Sequence, residues 1–187
     1  MGRMRFAIQE RLSLRNRRAD LPALRDLLGG SPGARLLDIG GGTGRTTAEF
    51  TPRDARAIVL EPEGGKLAFG RTRRPSLAFV GGRAEALPFP EGSLDRVVGI
   101  VSFHHIERPD VALDEIRRVL RRDGLLVLLE LHPDRPGLLP RLFGPHGSGD
   151  QPHFYEPERL RTFIEAHGFR SVTIRPGARG YFVTAAK

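Results

Sequence analysis

Apolar positions along the chain fall into short runs, separated by glycine- and proline-rich breaks, and their spacing alternates between strand and helix periods. Arg5 to Leu28 carries a helical spacing with a break at Pro22 and a stop at Gly29-Gly30-Ser31-Pro32-Gly33. Arg35 to Ile39 reads as a first buried strand, Thr43 to Phe50 as a short helix, and Ala55 to Glu61 as a second buried strand. Pro62 opens a helix that runs until Pro75 intervenes, Leu77 to Val80 is a third strand, and Leu94 to Val101 is a fourth. From Arg108 to Arg121 a helix presents Val111, Leu113, Ile116, Val119 and Leu120 on one face; Asp123-Gly124 ends it, and Leu125 to Leu131 is a fifth strand. Beyond the long loop 133–156, a helix over Pro157 to His167 leads into Phe169 to Arg175 and Tyr181 to Ala186. The turn Pro176-Gly177-Ala178-Arg179-Gly180 joins these two as an antiparallel hairpin. Strands alternating with helices through short loops predict an α/β fold with a parallel, doubly wound sheet. At 187 residues the chain suits one domain, 1–187, with a full hydrophobic core.

The first strand ends in the most informative stretch, Leu36-Leu37-Asp38-Ile39-Gly40-Gly41-Gly42-Thr43-Gly44. A buried strand that breaks into glycines and feeds a helix brings bare backbone against a ligand, where side chains would block the approach. The dinucleotide fingerprint Gly-x-Gly-x-x-Gly fails in both registers, because Arg45 or Thr47 stands at its last glycine. The phosphate-cradling P-loop fails too, with Ile39 at its first glycine and Arg45 at its lysine. What remains is Asp-x-Gly-x-Gly-x-Gly. In an open α/β sheet, ligands sit at the carboxyl ends of the strands. The second strand ends in Glu61, 23 positions after Asp38, close to the ~20-residue offset at which an acidic residue meets ribose hydroxyls. The alternative is a helix N-terminal acid favoured by the dipole.

Composition narrows the function classes. The formal charge is +8 and the pI near 11.1, but only Lys66 and Lys187 are lysines and the arginines are spread along the chain. No aromatic residues interleave with them as stacking platforms, so nucleic acid is disfavoured as a partner. The densest cluster, Arg11, Arg15, Arg17 and Arg18, reads as a solvated helix face. The chain has no cysteine, which excludes disulfides and thiolate chemistry. No apolar run approaches the ~20 residues of a membrane span. The opening residues turn polar too early for a signal peptide, and a cytoplasmic protein is expected.

The glycine loop, Gly82-Arg83-Ala84-Glu85-Ala86-Leu87-Pro88-Phe89, the paired histidines of Ser102-Phe103-His104-His105 and the turn Arg117 to Gly124 occur in a characteristic order. Together they resemble the class I S-adenosylmethionine (SAM)-dependent methyltransferases of the UbiE-like, methyltransferase-11 type. The resemblance covers Arg35 to Leu131 closely and the terminal helix and hairpin more loosely. It implies a Rossmann-like, mostly parallel seven-stranded sheet ending in an antiparallel hairpin, with S-adenosylmethionine as cofactor and S-adenosylhomocysteine as product. Within the single domain, 1–34 would form a helical cover, 35–132 the SAM-binding core, 133–156 a loop and 157–187 the terminal helix and hairpin.

The resemblance also implies roles. Asp38, Gly40, Gly41, Gly42 and Gly44 would take the methionine moiety, and Glu61 with Pro62 the ribose. Ala84 would meet the adenine edge beside Arg83, which stands where the family has an aspartate. Ser102 and Phe103 would line the pocket. His104 and His105 would stand beside the departing methyl group, either as a base or as capping and packing residues. His132 and Tyr155 could line an acceptor pocket, although a Tyr155 preceding a helix also suits a hydrophobic staple. Metal binding by His132, His146 and His153 lacks a regular ligand spacing, and no metal is expected. The acceptor would be a small or shallowly bound molecule offering an O, N or C nucleophile, or one whose pocket is completed by a second subunit in a homodimer. A SAM-binding protein without turnover and an RNA or protein methyltransferase stay open as alternatives, with a nicotinamide-dependent oxidoreductase behind them.

Overall fold

In the computed structural model, which describes residues 2–29, 33–133 and 154–187, seven strands form one sheet. Strands β1 (Arg35–Ile39), β2 (Arg56–Glu61), β3 (Ala78–Gly81), β4 (Leu94–Ile100) and β5 (Leu120–Leu131) are parallel. The hairpin strands β6 (Arg170–Pro176) and β7 (Gly180–Ala186) add the antiparallel end. The spatial order is β3-β2-β1-β4-β5-β7-β6, so the direction of winding reverses between β1 and β4. A ligand crevice is expected at that reversal, beyond the strands' carboxyl ends.

Successive strand residues point to opposite faces, and both faces here are covered, which is why the central strands read as unbroken apolar runs. On one face Leu37, Ile39, Val97, Leu126 and Leu128 pack with Leu113, Ile116 and Val119 of helix α5 (Pro109–Val119) and Leu160 and Ile164 of helix α6 (Pro157–Ala166). On the other, Leu36, Val59, Val98, Val127 and Leu129 pack with Leu24 and Leu28 of helix α2 (Leu21–Leu28). Helices α3 (Arg45–Phe50) and α4 (Gly64–Arg73) follow β1 and β2, and helix α1 (Gly2–Arg17) lies against both. Among the described residues no helix is long and apolar enough to cross a membrane.

Several boundaries differ from the expectation, three of them for a visible reason. The first helical stretch breaks over residues 18–20, ahead of Pro22. Pro22 sits in the first turn of α2, where a missing N–H costs nothing. Asp20 anchors the break: its buried carboxylate accepts the Ala178 N–H of the β6–β7 turn at 2.7 Å. Helix α4 starts at Gly64, leaving Pro62 exposed outside it. Helix α5 stops at Val119, two residues before Arg121, because Leu120 is already extended and pairs with Leu94. The carbonyls of Arg118 and Leu120 accept from Lys187 Nζ at 3.3 and 2.7 Å, a cation at a helix C-terminus. Asp123-Gly124 therefore lies inside β5, where Asp123 takes a left-handed φ of 60°.

Candidate active site

The ends of β1 and β4 are drawn together by Ser102, whose Oγ donates to the Ile39 carbonyl at 2.7 Å. From there the glycine loop turns over the sheet. A Cβ on Gly40 would sit 2.8 Å from Ser102 Cβ, and one on Gly41 2.6 Å from Asp38 Oδ2; on Gly44 it would lie 2.9 Å from both Leu77 and Phe79. These three glycines let the loop pack against its own protein. Gly42, at φ 61°, is different: only Lys66 Cδ, at 3.9 Å, lies within 4 Å of where its Cβ would be. It is the position at which a ligand can meet bare backbone.

Three buried carboxylates stand near the carboxyl ends of β1, β2 and β5. Asp38 of β1 accepts from Thr47 Oγ1 through Oδ2, while its buried Oδ1 has no partner among the described residues. Burial pushes the Asp38 carboxyl up to about 7, against the pull of the Thr47 bond and the Arg17 charge and helped by nearby Glu61. Glu61, ending β2, accepts the Gly42 N–H at 3.1 Å on Oε2; its Oε1 receives the Glu63 N–H at 3.0 Å and Lys66 Nζ at 3.4 Å. Glu130 of β5 accepts the N–H groups of Ser102 and Phe103 at 3.2 and 2.9 Å on Oε1, and its Oε2 lies 2.6 Å from His104 Nδ1. In a chain of net charge +8, buried acids gathered at these strand ends favour a cation over a pyrophosphate. Gly42, the partnerless Asp38 Oδ1 and this charge fit a sulfonium nucleoside bearing an amino-acid tail.

After β4 the chain enters the site through Val101, a β-branched residue at φ 52° held by its N–H to the Leu129 carbonyl at 2.7 Å. Such a conformation is strained and is kept by its surroundings, often near function. It leads into the 3₁₀ turn Phe103–His105. The His104 ring is buried, stacked on Phe154 at 4.8 Å and beside exposed His105 at 4.0 Å. Phe103, expected to wall the pocket, is instead fully buried in the core against Tyr155, with ring centroids 6.0 Å apart. Tyr155 stacks on Phe163 of α6 at 6.1 Å, and its carbonyl accepts the Tyr181 hydroxyl at 2.7 Å. This is packing at a helix entrance. Burial raises both tyrosine hydroxyls above the ordinary phenol range. His132 packs on Tyr181 at 5.3 Å. Ala84 is buried, whereas Arg83 is exposed and pairs with Glu107. His146, His153 and most of the loop 133–156 lie outside the described residues.

Helix α1 reaches the glycine loop with one face. Phe6 packs on Phe69 of α4 at 5.5 Å, and Glu10 Oε1 accepts from Thr43 Oγ1 and Arg74 Nη1, both at 2.7 Å. Ser13 and Arg17 continue the same face, since residues 6, 10, 13 and 17 follow helical spacing. Arg11, Arg15 and Arg18 are exposed as expected for a solvated face, but Arg17 is not: it turns inward and donates to Ser13 Oγ. Burial lowers its affinity for the proton, opposed by the charges of Glu130, Asp38 and Asp20. Glu10, Arg17 and the bridging role of Glu130 are the site features that sequence reading missed.

Residues 37–128 match the family model described as a methyltransferase domain. These residues form a methyltransferase domain of this family. Its relatives include a demethylmenaquinone methyltransferase of Beutenbergia cavernae, 38% identical over 105 residues, which are 56% of this chain and 44% of that protein. A ubiquinone/menaquinone biosynthesis C-methyltransferase UbiE of Rhizobium leguminosarum bv. trifolii is 34% identical over 167 residues, covering 78% of this chain and 65% of that protein. The chain thus spans less than two thirds of the length of these relatives. Among solved structures, a SAM-dependent methyltransferase from Aquifex aeolicus superposes with TM-score 0.71 at 16% identity, covering 89% of each chain. A chain from the complex between the Haloferax volcanii Trm112 methyltransferase activator and a methyltransferase gives TM-score 0.80 at 15% identity, covering 97% of this chain and 93% of that one. At such identities the likeness is one of fold. Family and fold together point to S-adenosylmethionine as the cofactor.

Proposed function

We propose that this chain transfers a methyl group from S-adenosylmethionine to a small hydroxylated acceptor whose proton is taken by His104. The observation that carries the reading is the buried His104–Glu130 pair. Glu130 is fixed by two backbone N–H groups, and its other oxygen holds His104 Nδ1 at 2.6 Å, so Nε2 is the nitrogen left to exchange a proton. When bound, the cofactor supplies a methyl group already activated by its sulfonium charge. The chain has then to align the reactants, exclude water and accept a proton, and alignment alone can contribute ~7–11 kcal/mol. Gly42 and Asp38 would face the methionine end, Glu61 the ribose and buried Ala84 the adenine. Binding at Glu61 would displace Lys66, whose contact is long at 3.4 Å.

The names of the relatives support a quinone-type ring in its reduced, hydroxylated form as the acceptor class. Only that form offers an electron-rich ring carbon, and methylation at carbon or oxygen releases one proton for His104. Calorimetry with S-adenosylhomocysteine and with NAD tests the donor half. Wild type should bind the former alone, and Glu61→Ala should weaken it at least tenfold, the loss of one or two charged hydrogen bonds. Methyl transfer to demethylmenaquinol tests the acceptor half: His104→Ala and Glu130→Gln should cut turnover by ~10²-fold or more with donor affinity retained in His104→Ala. Tight NAD binding, or a donor site indifferent to Glu61, would sink the proposal.

A further inference from the structure

We propose that Arg17 of the covering helix α1 belongs to the donor site and grips the carboxylate of the donor's methionine moiety, while Asp38 receives its ammonium. The inference rests on the S-adenosylmethionine reading above and adds to it a residue from outside the sheet core.

Among the described residues, three buried side-chain polar atoms lack a hydrogen-bond partner: Arg17 Nε, Asp38 Oδ1 and Arg96 Nε. Two of the three, Arg17 and Asp38, lie close enough to feel one another's charge, one a donor and one an acceptor. Buried polar groups are nearly always paired, so a donor and an acceptor left over within range of each other's charge suit a ligand that carries both complements. An α-amino-acid zwitterion does. Its carboxylate suits the planar guanidinium fork, which Ser13 Oγ already orients through Nη1. Its ammonium suits an Asp38 Oδ1 whose sister oxygen is occupied by Thr47. A nucleoside without the amino-acid tail has neither group and would leave both atoms as they are.

The surroundings explain why an arginine is tolerated there. Glu130, Asp38 and Asp20 surround it with negative charge, from β5, β1 and the α1–α2 junction. None of the three makes a direct bond to it, so the guanidinium is held near acids without being spent on them. Its helix is fixed at both ends. Glu10 ties it to Thr43 and Arg74, and beyond its last turn Asp20 ties the chain to Ala178. Arg17 is thus delivered to the glycine loop by a braced element.

Isothermal calorimetry on the full chain distinguishes the two ends of the donor. S-adenosylhomocysteine carries the amino-acid tail and 5′-methylthioadenosine lacks it. Arg17→Ala should raise the Kd of S-adenosylhomocysteine by ~10–100-fold, as for a lost charge-assisted bond, and leave that of 5′-methylthioadenosine within about twofold. Arg17→Lys, a point charge without the fork, should lose less, again on the first ligand only. It also carries the test if the alanine variant fails to fold. Equal losses on both ligands, or no loss on either, would overturn the assignment while the methyl-donor reading stands. A wild type that binds 5′-methylthioadenosine but not S-adenosylhomocysteine would also overturn it. Binding of neither would remove the donor reading and this inference together.

Discussion

If Asp38 Oδ1 receives an ammonium, the donor binds the ionised carboxylate, and the structure sets the pH at which that ionisation costs something. Burial beneath the glycine loop holds Asp38 up at about 7 against an ordinary 3.8. The groups facing it are Thr47 from α3, Arg17 from α1 and Glu61 from β2; the first two favour the ionised form and the third opposes it. Above pH 7 the carboxylate is already charged and affinity should be flat. Below pH 7 binding must expel a proton, so the affinity for S-adenosylhomocysteine should fall by up to tenfold per pH unit, ~100-fold between pH 7 and pH 5. Folding has the same link with the opposite partner. A carboxyl raised in the folded state gives stability that is complete below about pH 4 and lost as pH rises through about 7. That shift of about three units corresponds to ~4 kcal/mol. The assay is calorimetry with S-adenosylhomocysteine from pH 5 to 8, alongside urea unfolding over the same range, on wild type and Asp38→Asn. The variant should bind more weakly at pH 8, lack most of the slope below 7, and unfold with a flatter pH dependence. Every other group is the same in the two proteins, so the difference between them isolates Asp38. Equal slopes in the two proteins would refute the reasoning.

Two further tests concern the fold that carries the site. Phe103→Ala removes a fully buried ring packed on Tyr155 and should cost ~3–5 kcal/mol, read as a lower urea midpoint with an unchanged m-value; under ~1 kcal/mol would mean the ring is not a core residue. Asp123→Val places a β-branched side chain at a φ of 60° and should cost ~1–2 kcal/mol, whereas Asp123→Gly should cost nothing; equal melting temperatures for the two variants would remove the strain argument.

The sheet was legible because its evidence is local and repeated. Leu36 and Leu37 point to opposite faces, as do Val97 and Val98, and each needs an apolar cover, so the run itself announces a doubly wound sheet. The terminal hairpin was legible from its Pro176-Gly177 turn. Boundaries failed where a distant contact decides them. Nothing near Arg121 says that Leu120 will pair with Leu94 and that Lys187 will close the helix end, 67 residues away. Phe103 was misjudged for the same reason: proximity to paired histidines suggests a pocket, while Tyr155, 52 positions on, makes it core.

The covering helix shows a harder limit, and it bears on where function resides in this chain. Hydrophobic periodicity finds a helix face only when the face is apolar. The inward face of α1 begins apolar with Phe6 and then turns polar through Glu10, Ser13 and Arg17, because much of what it covers is a polar loop, with Leu14 beside them packed on the apolar cluster of the sheet. Its outward face carries Arg11 and Arg15 along with exposed Met4 and Ile8, so neither side has a clean period. A helix that packs by ion pairs onto a ligand loop therefore resembles a solvated helix in sequence. One distinction survives: Glu10 and Arg17 lie seven apart, two turns on one face, with small Ser13 between them. In a first helix preceding a glycine loop, an acid and an arginine at that spacing can both reach inward, one to brace the loop and one to meet what the loop binds.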